Sequence, residues 1–324
     1  MLKTPIFWYQ KKSLLSLLLI PLSYLWLLAS LLNKKKINKF NIPVIKIGNV
    51  VAGGAGKTPT VISLTKKLIA SNLNVHIILK GYKSSARTSI QVNKAMHTYK
   101  EVGDEALICA NFAPTWVGES RSESINNAIH NGAELVILDD GLQDKSIASN
   151  LNIIVFNGYQ GIGNARIIPA GPLRENFIKA INRSDVAIII DEDKKNIAKL
   201  IGNNIPIINS KLIIDDDYIN NFKNKKVVAF CGIGYPDKFY MSLEKIGCEV
   251  LYIKSFPDHY IYKEKDILKL LKKSQLLDAL LITTEKDHVK IMENHKNKIY
   301  FFPIRIELNN YKILDELLFS IINE

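Results

Sequence analysis

Short apolar runs alternate along this chain with longer segments in which apolar residues recur every three or four positions. Residues 43–49 (PVIKIGN) form the first run, and Val61, Leu64 and Leu68 follow at helical spacing within residues 60–70. Further strand-like runs are separated by helix-length segments and lie at residues 75–79, 135–138, 153–156 and 186–190. This alternation predicts an α/β fold with a doubly wound, mainly parallel sheet.

A second alternation predicts a smaller α/β domain at residues 227–324. Its strand-like runs lie at 227–230, 250–253 and 280–283, and its helical pieces at 267–271 and 313–322. Residues 300–308 are predicted to be extended and to pack back against the segment that precedes the domain. That segment is rich in Asn, Lys and Asp, which is typical of a connection. The predicted divisions are an N-terminal helix at 1–36, a larger domain at 37–205, a connection at 206–226 and the smaller domain.

The segment at residues 13–32 (SLLSLLLIPLSYLWLLASLL) is uncharged and apolar over about the length that a bilayer core requires of a helix. Lysines precede and follow it, and no small-residue cleavage motif comes after Leu32, which argues against a signal peptide. Aromatic residues typical of a membrane interface lie at Trp8, Tyr9, Tyr24 and Trp26. A buried core helix and a single span, kinked at Pro21, are the alternatives. We predict a helix that lies in or dips into the cytoplasmic face of a membrane.

The charge balance indicates an anionic partner without identifying it. The 324 residues include 43 Lys and Arg against 31 Asp and Glu, a net charge of +12, which favours nucleic acid, an acidic membrane surface or a phosphorylated ligand. Much of the lysine lies in Lys- and Asn-rich stretches that are typical of solvated surface. Cys109, Cys231 and Cys248 lack the spacing of a disulfide framework or a zinc site. This cysteine usage fits a reducing cytoplasm.

A glycine-rich loop follows the first predicted strand and precedes the first predicted helix of the larger domain. It reads Gly53-Gly54-Ala55-Gly56-Lys57-Thr58. In such loops backbone N–H groups surround the phosphates of a nucleotide, the lysine reaches the β- and γ-phosphates, and the hydroxyl coordinates Mg²⁺. The strict pattern has glycine at position 51, where this chain has Val51. The strand-loop-helix context still predicts a P-loop that binds a nucleoside triphosphate.

A Walker B-like motif lies at residues 135–140, where an apolar run ends in Asp139 and Asp140. Carboxylates at the carboxyl end of a strand bind Mg²⁺ directly or through water. A turn after a buried strand is the structural alternative, since Asp-Asp-Gly suits a turn. Together with the P-loop, the two carboxylates predict a site for a magnesium nucleotide.

Transfer of a phosphoryl group to a hydroxyl also needs a group that accepts the proton. Asp104 has the right chemistry, although Gly103-Asp104-Glu105 is also an ordinary helix start with an acid in the first turn. His259 follows Asp258, and a histidine beside an aspartate is more often a surface pair. From these residues alone, a catalytic role and a purely structural role stay open for Asp104 and for His259.

A set of motifs, in order over nearly the whole chain, resembles the tetraacyldisaccharide 4'-kinases. The motifs are GNVVAGGAGKTPT, KGYK, VGDEA, LDDGLQD, PAGPLRE, CGIGYPDKF, FPDHY and TTEKDHVK. The resemblance implies an enzyme of lipid A biosynthesis that transfers the γ-phosphate of ATP to the 4'-hydroxyl of a tetraacylated glucosamine disaccharide 1-phosphate. It implies ATP and Mg²⁺ as cofactors, a lipid A disaccharide precursor as partner, and a location at the cytoplasmic face of the bacterial inner membrane.

The resemblance also implies roles for particular residues. The P-loop from Gly53 to Thr58 holds the nucleotide, Asp104 is the general base, and His259 approaches and tunes it when the domains close. Lys57 contacts the phosphates. The residues implied around the metal are Thr58, Asp139, Asp140, Gln143 and Glu175, and those implied in the substrate cleft are Tyr82 and Arg121.

Several positions depart from the family pattern. The family usually has arginine and glycine around the tyrosine where this chain has Lys80 and Lys83, and proline where it has Ala106. The family usually has histidine where this chain has Asp144. If that histidine helps to bind metal or nucleotide in relatives, Asp144 acts differently here, for example as an additional acceptor, or the position is dispensable.

Two other functions compete with a lipid kinase. A membrane-associated P-loop ATPase switch of the partitioning type has a similar GGxGKT loop, but commonly has a lysine before the paired glycines, where this chain has Ala52. A nucleic-acid-binding protein is supported by net charge alone, without a stacking motif or a helix-turn-helix signal. We therefore expect a lipid kinase with no nucleic-acid partner.

Overall fold

The computed structural model describes residues 5–10, 12–32, 36–81, 85–214, 216–234, 236–258 and 260–322. The strands are β1 (Val44–Gly48), β2 (Val75–Leu79), β3 (Ile90–Gln91), β4 (Thr115–Val117), β5 (Leu135–Asp139), β6 (Leu151–Asn157), β7 (Val186–Ile190), β8 (Ile207–Ile213), β9 (Lys226–Cys231), β10 (Glu249–Ser255), β11 (Leu280–Thr284), β12 (Tyr300–Phe302) and β13 (Arg305–Leu308). The first five predicted strands correspond to β1, β2, β5, β6 and β7.

The helices follow the predicted alternation with these strands. They are a 3₁₀ helix (Ile6–Tyr9), α1 (Leu14–Leu18), α2 (Ile20–Leu32), α3 (Lys57–Ala70), α4 (Tyr99–Val102), α5 (Asp104–Cys109), α6 (Arg121–His130), α7 (Phe177–Ile181), α8 (Ile197–Ile201), α9 (Asp216–Phe222), α10 (Pro236–Lys245), α11 (Glu264–Leu276), α12 (Glu285–His288), α13 (Glu293–Lys296) and α14 (Lys312–Ile322). Pro59 lies in the first turn of α3, where its missing N–H leaves no helical hydrogen bond unmade.

The larger sheet has nine strands among the described residues, in the order β13-β8-β7-β6-β1-β5-β2-β4-β3. β1 pairs in parallel with β5 and β6, and the edge pairs β3–β4 and β8–β13 are antiparallel. The central strands β1, β2, β5 and β7 are buried along their whole length, as expected of parallel strands that are covered on both faces. The predicted α/β fold with a mainly parallel sheet is confirmed, and the antiparallel edges make the sheet mixed.

The strand order reverses at β1, because β5, β2 and β4 lie on one side of it and β6, β7 and β8 on the other. In open α/β sheets, ligands bind in the crevice outside the carboxyl ends of the strands at such a point. The glycine-rich loop after β1 and the two aspartates at the end of β5 both lie at this edge.

The smaller sheet has the order β10-β9-β11-β12 among the described residues, and its pairs are parallel. Aromatic side chains of Phe222, Phe239 and Phe302 lie in its core. The sheet follows the predicted second alternation. Because the pairs among its described strands are all parallel, the sheet depends on crossover connections between its strands.

The segment predicted as a connection, residues 206–226, differs from a plain linker. It contains β8, whose Ile208 and Ser210 are buried while their neighbours are more exposed, and α9, whose Phe222 is buried in the smaller core. Residues 300–308 are expected to pack back against this segment: residues 305–308 do so, because β13 pairs with β8, whereas β12 pairs with β11 in the smaller sheet. The chain thus returns to the larger domain near its end. The apolar side of α14 then packs into the larger core through Leu314, Leu318 and Ile321.

The N-terminal segment forms two helices, since α1 ends before Leu19 and α2 begins at Ile20. Ser16 and Ser23, seven residues apart, turn inward: Ser16 Oγ donates to Ala170 O at 2.5 Å and Ser23 Oγ donates to Ile167 O at 2.7 Å. In the described part of the chain we find no helix with the length and apolar character needed to cross a membrane.

Candidate active site

The glycine-rich loop is shaped by two glycines with left-handed backbone angles, Gly53 at φ 122° and Gly56 at φ 92°. A Cβ atom on Gly56 would lie 2.3 Å from Cδ1 of Ile190, at the end of β7. α3 begins at Lys57, directly after this glycine. The N–H groups of the first helical turn lack partners within the helix, so they are available to an anion in the crevice.

The surroundings of Val51 show why this chain has valine where the strict P-loop pattern has glycine. Its side chain is 3% exposed and belongs to an apolar core cluster, and its backbone forms an antiparallel bridge with Leu173. The next residue of that segment, Arg174, donates its backbone N–H to Val50 O at 2.8 Å. The P-loop is therefore paired with part of the PAGPLRE motif, which fills the space behind the loop and brings Arg174 and Glu175 to the site.

The P-loop lysine is held from two sides. Lys57 Nζ donates to Asn49 Oδ1 at 3.1 Å and lies 3.5 Å from Asp140 Oδ1. Asn49 is fully buried, and its Nδ2 donates to Val51 O at 2.6 Å. The amide of Asn49 thus joins the lysine to the backbone of the loop.

Asp139 lies at the end of β5 and is 4% exposed. Its Oδ2 accepts a hydrogen bond from Thr58 Oγ1 at 2.9 Å. Burial raises the pKa of Asp139 to about 7, and the Glu105 carboxylate adds to this rise while Lys57 opposes it. Asp139 Oδ1 is buried and has no hydrogen-bond partner among the described residues. A buried acceptor oxygen of this kind is satisfied by a bound cation or a donor from a ligand.

Asp140 differs from its neighbour because two cations face it. Arg174 Nη1 donates to Asp140 Oδ2 at 2.8 Å and to Oδ1 at 2.9 Å. Burial acts to raise the pKa of Asp140, but the charges of Lys57 and Arg174 together outweigh it and hold the pKa below its ordinary value. Asp140 is therefore an ionised anchor for Lys57 and Arg174. In contrast, the raised pKa of Asp139 lies close to neutral pH.

Arg121 braces the turn that carries both aspartates. This first residue of α6 is 8% exposed, and its Nη2 donates to Asp139 O at 3.2 Å and to Asp140 O at 2.9 Å. Its Nη1 donates to Asp144 Oδ2 at 3.0 Å. Asp144 also accepts from Ser146, and burial alone would raise the pKa of Asp144, but these hydrogen bonds and Arg121 lower it. Asp144 is an acceptor for arginine in this chain.

Gln143 and Glu175 meet beside the P-loop. Gln143 Nε2 donates to Glu175 Oε1 and to Asn49 O, both at 2.8 Å. The guanidinium of Arg183 donates to both carboxylate oxygens of Glu175. The structure therefore places the two predicted metal-site residues in a network that supports Asn49, with Glu175 neutralised by arginine.

Asp104 is the first residue of α5 and is 8% exposed. Gly103, at φ 91°, turns the chain from α4 into this helix. Asp104 Oδ1 accepts from the backbone N–H of Glu105 at 3.1 Å. Asp104 therefore lies in the first turn of a helix, the structural alternative that the sequence suggested. This position is compatible with a role as a base, because the next residue, Glu105, lines the cleft.

A cleft of about 2200 Å³ lies between the two domains. Its walls include the P-loop, the aspartate pair, Arg174 and Glu175 from the larger domain, and Asp258 and Lys286 from the smaller one. Trp26 and Leu27 of α2 line its edge. Two predicted site residues, Tyr82 and His259, lie outside the described residues.

The family model for LpxK, tetraacyldisaccharide-1-P 4'-kinase, matches residues 15–323. The chain belongs to this family. It is 35% identical to a tetraacyldisaccharide 4'-kinase of Rhodospirillum centenum over 98% of this chain and 96% of that protein. It is 37% identical to the one from Paramagnetospirillum magneticum over 98% of each chain.

A solved structure of the LpxK family gives the same result at the level of the fold. The crystal structure of LpxK from Aquifex aeolicus in complex with ATP is similar with a TM-score of 0.76 and 25% identity, over 95% of this chain and 100% of that one. The resemblance stated from the motifs is thereby confirmed for the family, and the α/β fold predicted from the alternation of apolar runs matches that of a solved family member.

The structure adds site residues of this LpxK family member that the sequence interpretation did not select. They are Asn49, Glu105, Arg174, Arg183 and Lys286. Asn49, Glu105, Arg174 and Lys286 lie inside the quoted motifs, next to or near selected residues. Their place in the motifs indicated their importance, but only the fold identifies their partners, such as Asp140 for Arg174 and Glu105 for Lys286.

Proposed function

We propose that the protein transfers the γ-phosphate of ATP to the 4'-hydroxyl of a tetraacylated glucosamine disaccharide 1-phosphate. One observation carries this proposal: in a chain of this family, the P-loop lysine and threonine meet the two aspartates at the floor of a cleft shared by both domains. In the reaction, a bond forms between the 4'-oxygen and the γ-phosphorus as the bond from that phosphorus to the β,γ-bridging oxygen breaks. ADP leaves, and the hydroxyl proton passes to a base.

The nucleotide phosphates are proposed to lie over the start of α3. Backbone N–H groups from Gly53 to Thr58 would donate to them, and Lys57, released from Asn49 and Asp140, would pair with the β- and γ-phosphates. Arg174 keeps Asp140 ionised and so keeps Lys57 close when no nucleotide is bound. The network of Gln143 and Glu175 holds Asn49 in register with the loop.

The residues present fit a magnesium ion. Asp139 offers a buried oxygen without a hydrogen-bond partner among the described residues, and the hydroxyl of Thr58 lies 2.9 Å from the other oxygen of the same carboxylate. No group of three or more His, Cys, Asp or Glu in the described part of the chain forms a closed metal site, and Mg²⁺ needs none because it keeps waters and takes phosphate oxygens as ligands. When bound, the ion would neutralise charge on the phosphates. Asp140, Gln143 and Glu175 would then support the site through the contacts with arginine, lysine and asparagine described above.

Asp104 is proposed as the group that accepts the proton from the 4'-hydroxyl. It lies at the start of a helix on the cleft wall, beside Glu105, which lines the cleft. His259 is proposed to tune it, since the adjacent Asp258 lines the same cleft. Arg121 is proposed to act by fixing the aspartate turn, and Tyr82 stays a proposed contact for the substrate.

The N-terminal helices are proposed to hold the enzyme at the inner face of the bacterial inner membrane. Their polar side faces the protein, whereas Leu14, Leu18 and Leu25 are 76%, 68% and 60% exposed. Such an outward apolar surface is unusual for a protein surrounded by water and is typical of a surface that contacts a membrane or a partner. Trp26 and Leu27 continue it to the edge of the cleft, so a lipid whose acyl chains stay in the bilayer reaches the P-loop from this side.

Vesicle binding tests the membrane proposal. Changing Leu14, Leu18 and Leu25 together to Ser should shift the protein from vesicles to solution by more than about tenfold, because each buried leucine contributes about 1.5–3 kcal/mol. The matched control changes Leu268 and Leu276 of α11, which are 50% and 72% exposed, and should leave partition unaltered. Equal vesicle binding of the triple variant and the wild type would overturn the proposal.

Transfer of labelled phosphate tests the kinase proposal. With labelled ATP and the disaccharide 1-phosphate in mixed micelles, the wild type should label the lipid, and Lys57→Ala and Asp104→Asn should each reduce turnover at least about 100-fold. Asp104→Asn should still bind ATP. ATP hydrolysis stimulated by a partner protein without lipid labelling would instead favour the partitioning-type switch.

A further inference from the structure

Lys286 belongs to the smaller domain and is held on a rigid support. It lies in α12, whose N-cap residue Thr284 accepts a hydrogen bond from Asp287 N. Asp287 is fully buried, and its Oδ2 accepts from Thr284 Oγ1 at 2.7 Å and from Gly232 N at 2.8 Å. Lys290 Nζ completes this anchor at 2.6 Å from Asp287 Oδ1. The position of Lys286 is therefore set by a short helix that is pinned to the smaller sheet.

The side chain of Lys286 reaches across the cleft to the larger domain. Its Nζ donates to Glu105 Oε1 at 3.1 Å, and both side chains are about one third exposed or less, at 26% and 35%. A second contact between the domains lies beside it, because Arg305 Nη1 of β13 donates to Glu285 Oε2 at 2.8 Å. α12 thus presents a carboxylate and an ammonium group in succession to the larger domain.

The ammonium group of Lys286 interacts electrostatically with more than one carboxylate. Burial acts to lower the pKa of Lys286, but Glu105, Asp104 and Asp258 together raise it above its ordinary value. Glu105 in turn acts on Asp139, whose pKa it helps to raise. Without its ammonium group, the two adjacent acids at the start of α5 would lose a cation that the smaller domain places beside them.

We propose that Lys286 is a positioning residue that fixes the first turn of α5 through Glu105 and thereby holds Asp104 in place to accept the proton. This inference rests on the proposed kinase function. It makes contact between the two domains a condition for the chemical step, since the ammonium group comes from one domain and the base from the other. Binding of ATP at the P-loop does not need this contact.

The test measures lipid phosphorylation and ATP binding in four variants of the full-length protein. Lys286→Met should lower kcat at least about tenfold while changing the Kd for ATP less than about threefold, because the lost cation acts on the base and not on the phosphates. Lys286→Arg should restore most of the turnover. Glu105→Gln should lower kcat, and the double variant Lys286→Met/Glu105→Gln should be no worse than the more impaired single variant.

The control is Lys296→Met, which removes a lysine of the same domain that pairs with Glu293 at 2.7 Å and should leave kcat unchanged. Thermal unfolding of each variant separates loss of fold from loss of position. A folded Lys286→Met protein with wild-type kcat, or a double variant whose losses multiply, would overturn the inference. If the wild type itself labels no lipid, the kinase proposal fails first, which distinguishes the two failures.

Discussion

Asn49→Ala tests how the site prepares its lysine. The substitution removes the acceptor that Lys57 Nζ contacts at 3.1 Å and the donor that Val51 O receives at 2.6 Å. Asn49 is fully buried, so no water replaces these contacts without rearrangement. Lys57 would then turn towards Asp140, which lies 3.5 Å away, and the loop would lose its link to the lysine.

The expected magnitude follows from the lysine contact. A hydrogen bond to a charged group contributes about 1.5–3 kcal/mol, which corresponds to a loss of roughly 10- to 150-fold in kcat/KM. The assay is lipid phosphorylation over a range of ATP concentrations, with unfolding measured in parallel. If the asparagine acts through Lys57, adding Asn49→Ala to Lys57→Ala should cause little further loss.

A matched control separates this role from simple loss of a hydrogen bond. Asn204 Nδ2 donates to Ile201 O at 2.6 Å, and Asn204 does not line the cleft. Asn204→Ala should therefore keep full activity. The reasoning is refuted if Asn49→Ala retains kcat/KM within about threefold of wild type, or if its loss is independent of Lys57.

Two further predictions concern the aspartate pair. Because folding raises the pKa of Asp139 to about 7, its ionisation in the folded protein is unfavourable; the resulting loss of stability is absent below the unfolded pKa and grows as the pH rises to about 7. Asp139→Asn should therefore be more stable than nucleotide-free wild type at about pH 8, and its gain in the free energy of unfolding there should exceed the gain at about pH 5 by on the order of 2 kcal/mol. A difference in the free energy of unfolding that does not change with pH would contradict the assignment. Arg174→Met removes both arginine contacts of Asp140 and one of the two cations that keep it ionised, so Lys57 should be held less firmly and kcat/KM should fall about tenfold or more. Lys67→Met, which breaks a pair with Asp315 far from the P-loop, should leave kcat/KM unchanged. Equal activity of the two variants would count against the anchor role of Asp140.

The apolar pattern predicted the strands well because burial of whole parallel strands leaves a continuous signal. β1, β5 and β7 begin and end within about two residues of the predicted runs. The sequence predicts a connection where β8 lies, because Asn and Lys dominate its neighbourhood, yet the residues of β8 alternate between buried and more exposed positions. Its place in the sheet depends on pairing with β7 and β13, which no local pattern reveals.

The candidate site was predictable where chemistry and neighbours coincide in sequence. The P-loop and the aspartate pair were found for this reason, and Thr58 and Asp139 are indeed hydrogen-bonded. The contact of Lys286 with Glu105 spans 181 positions, so spacing could not predict it. The inward orientation of the serines in the N-terminal helices could also be predicted from the sequence, because a separation of seven residues places Ser16 and Ser23 on the same side of a helical segment.

We propose that this cleft phosphorylates a lipid sugar at its 4'-hydroxyl. The most direct measurement is to incubate the wild-type protein with ATP, Mg²⁺ and the tetraacylated disaccharide 1-phosphate, and then to locate the new phosphate by mass spectrometry and phosphorus NMR. We expect a lipid that has gained one phosphate, attached at the 4'-oxygen, with an equal amount of ADP. ADP formation without a phosphorylated lipid, or a phosphate at another position, would contradict the account.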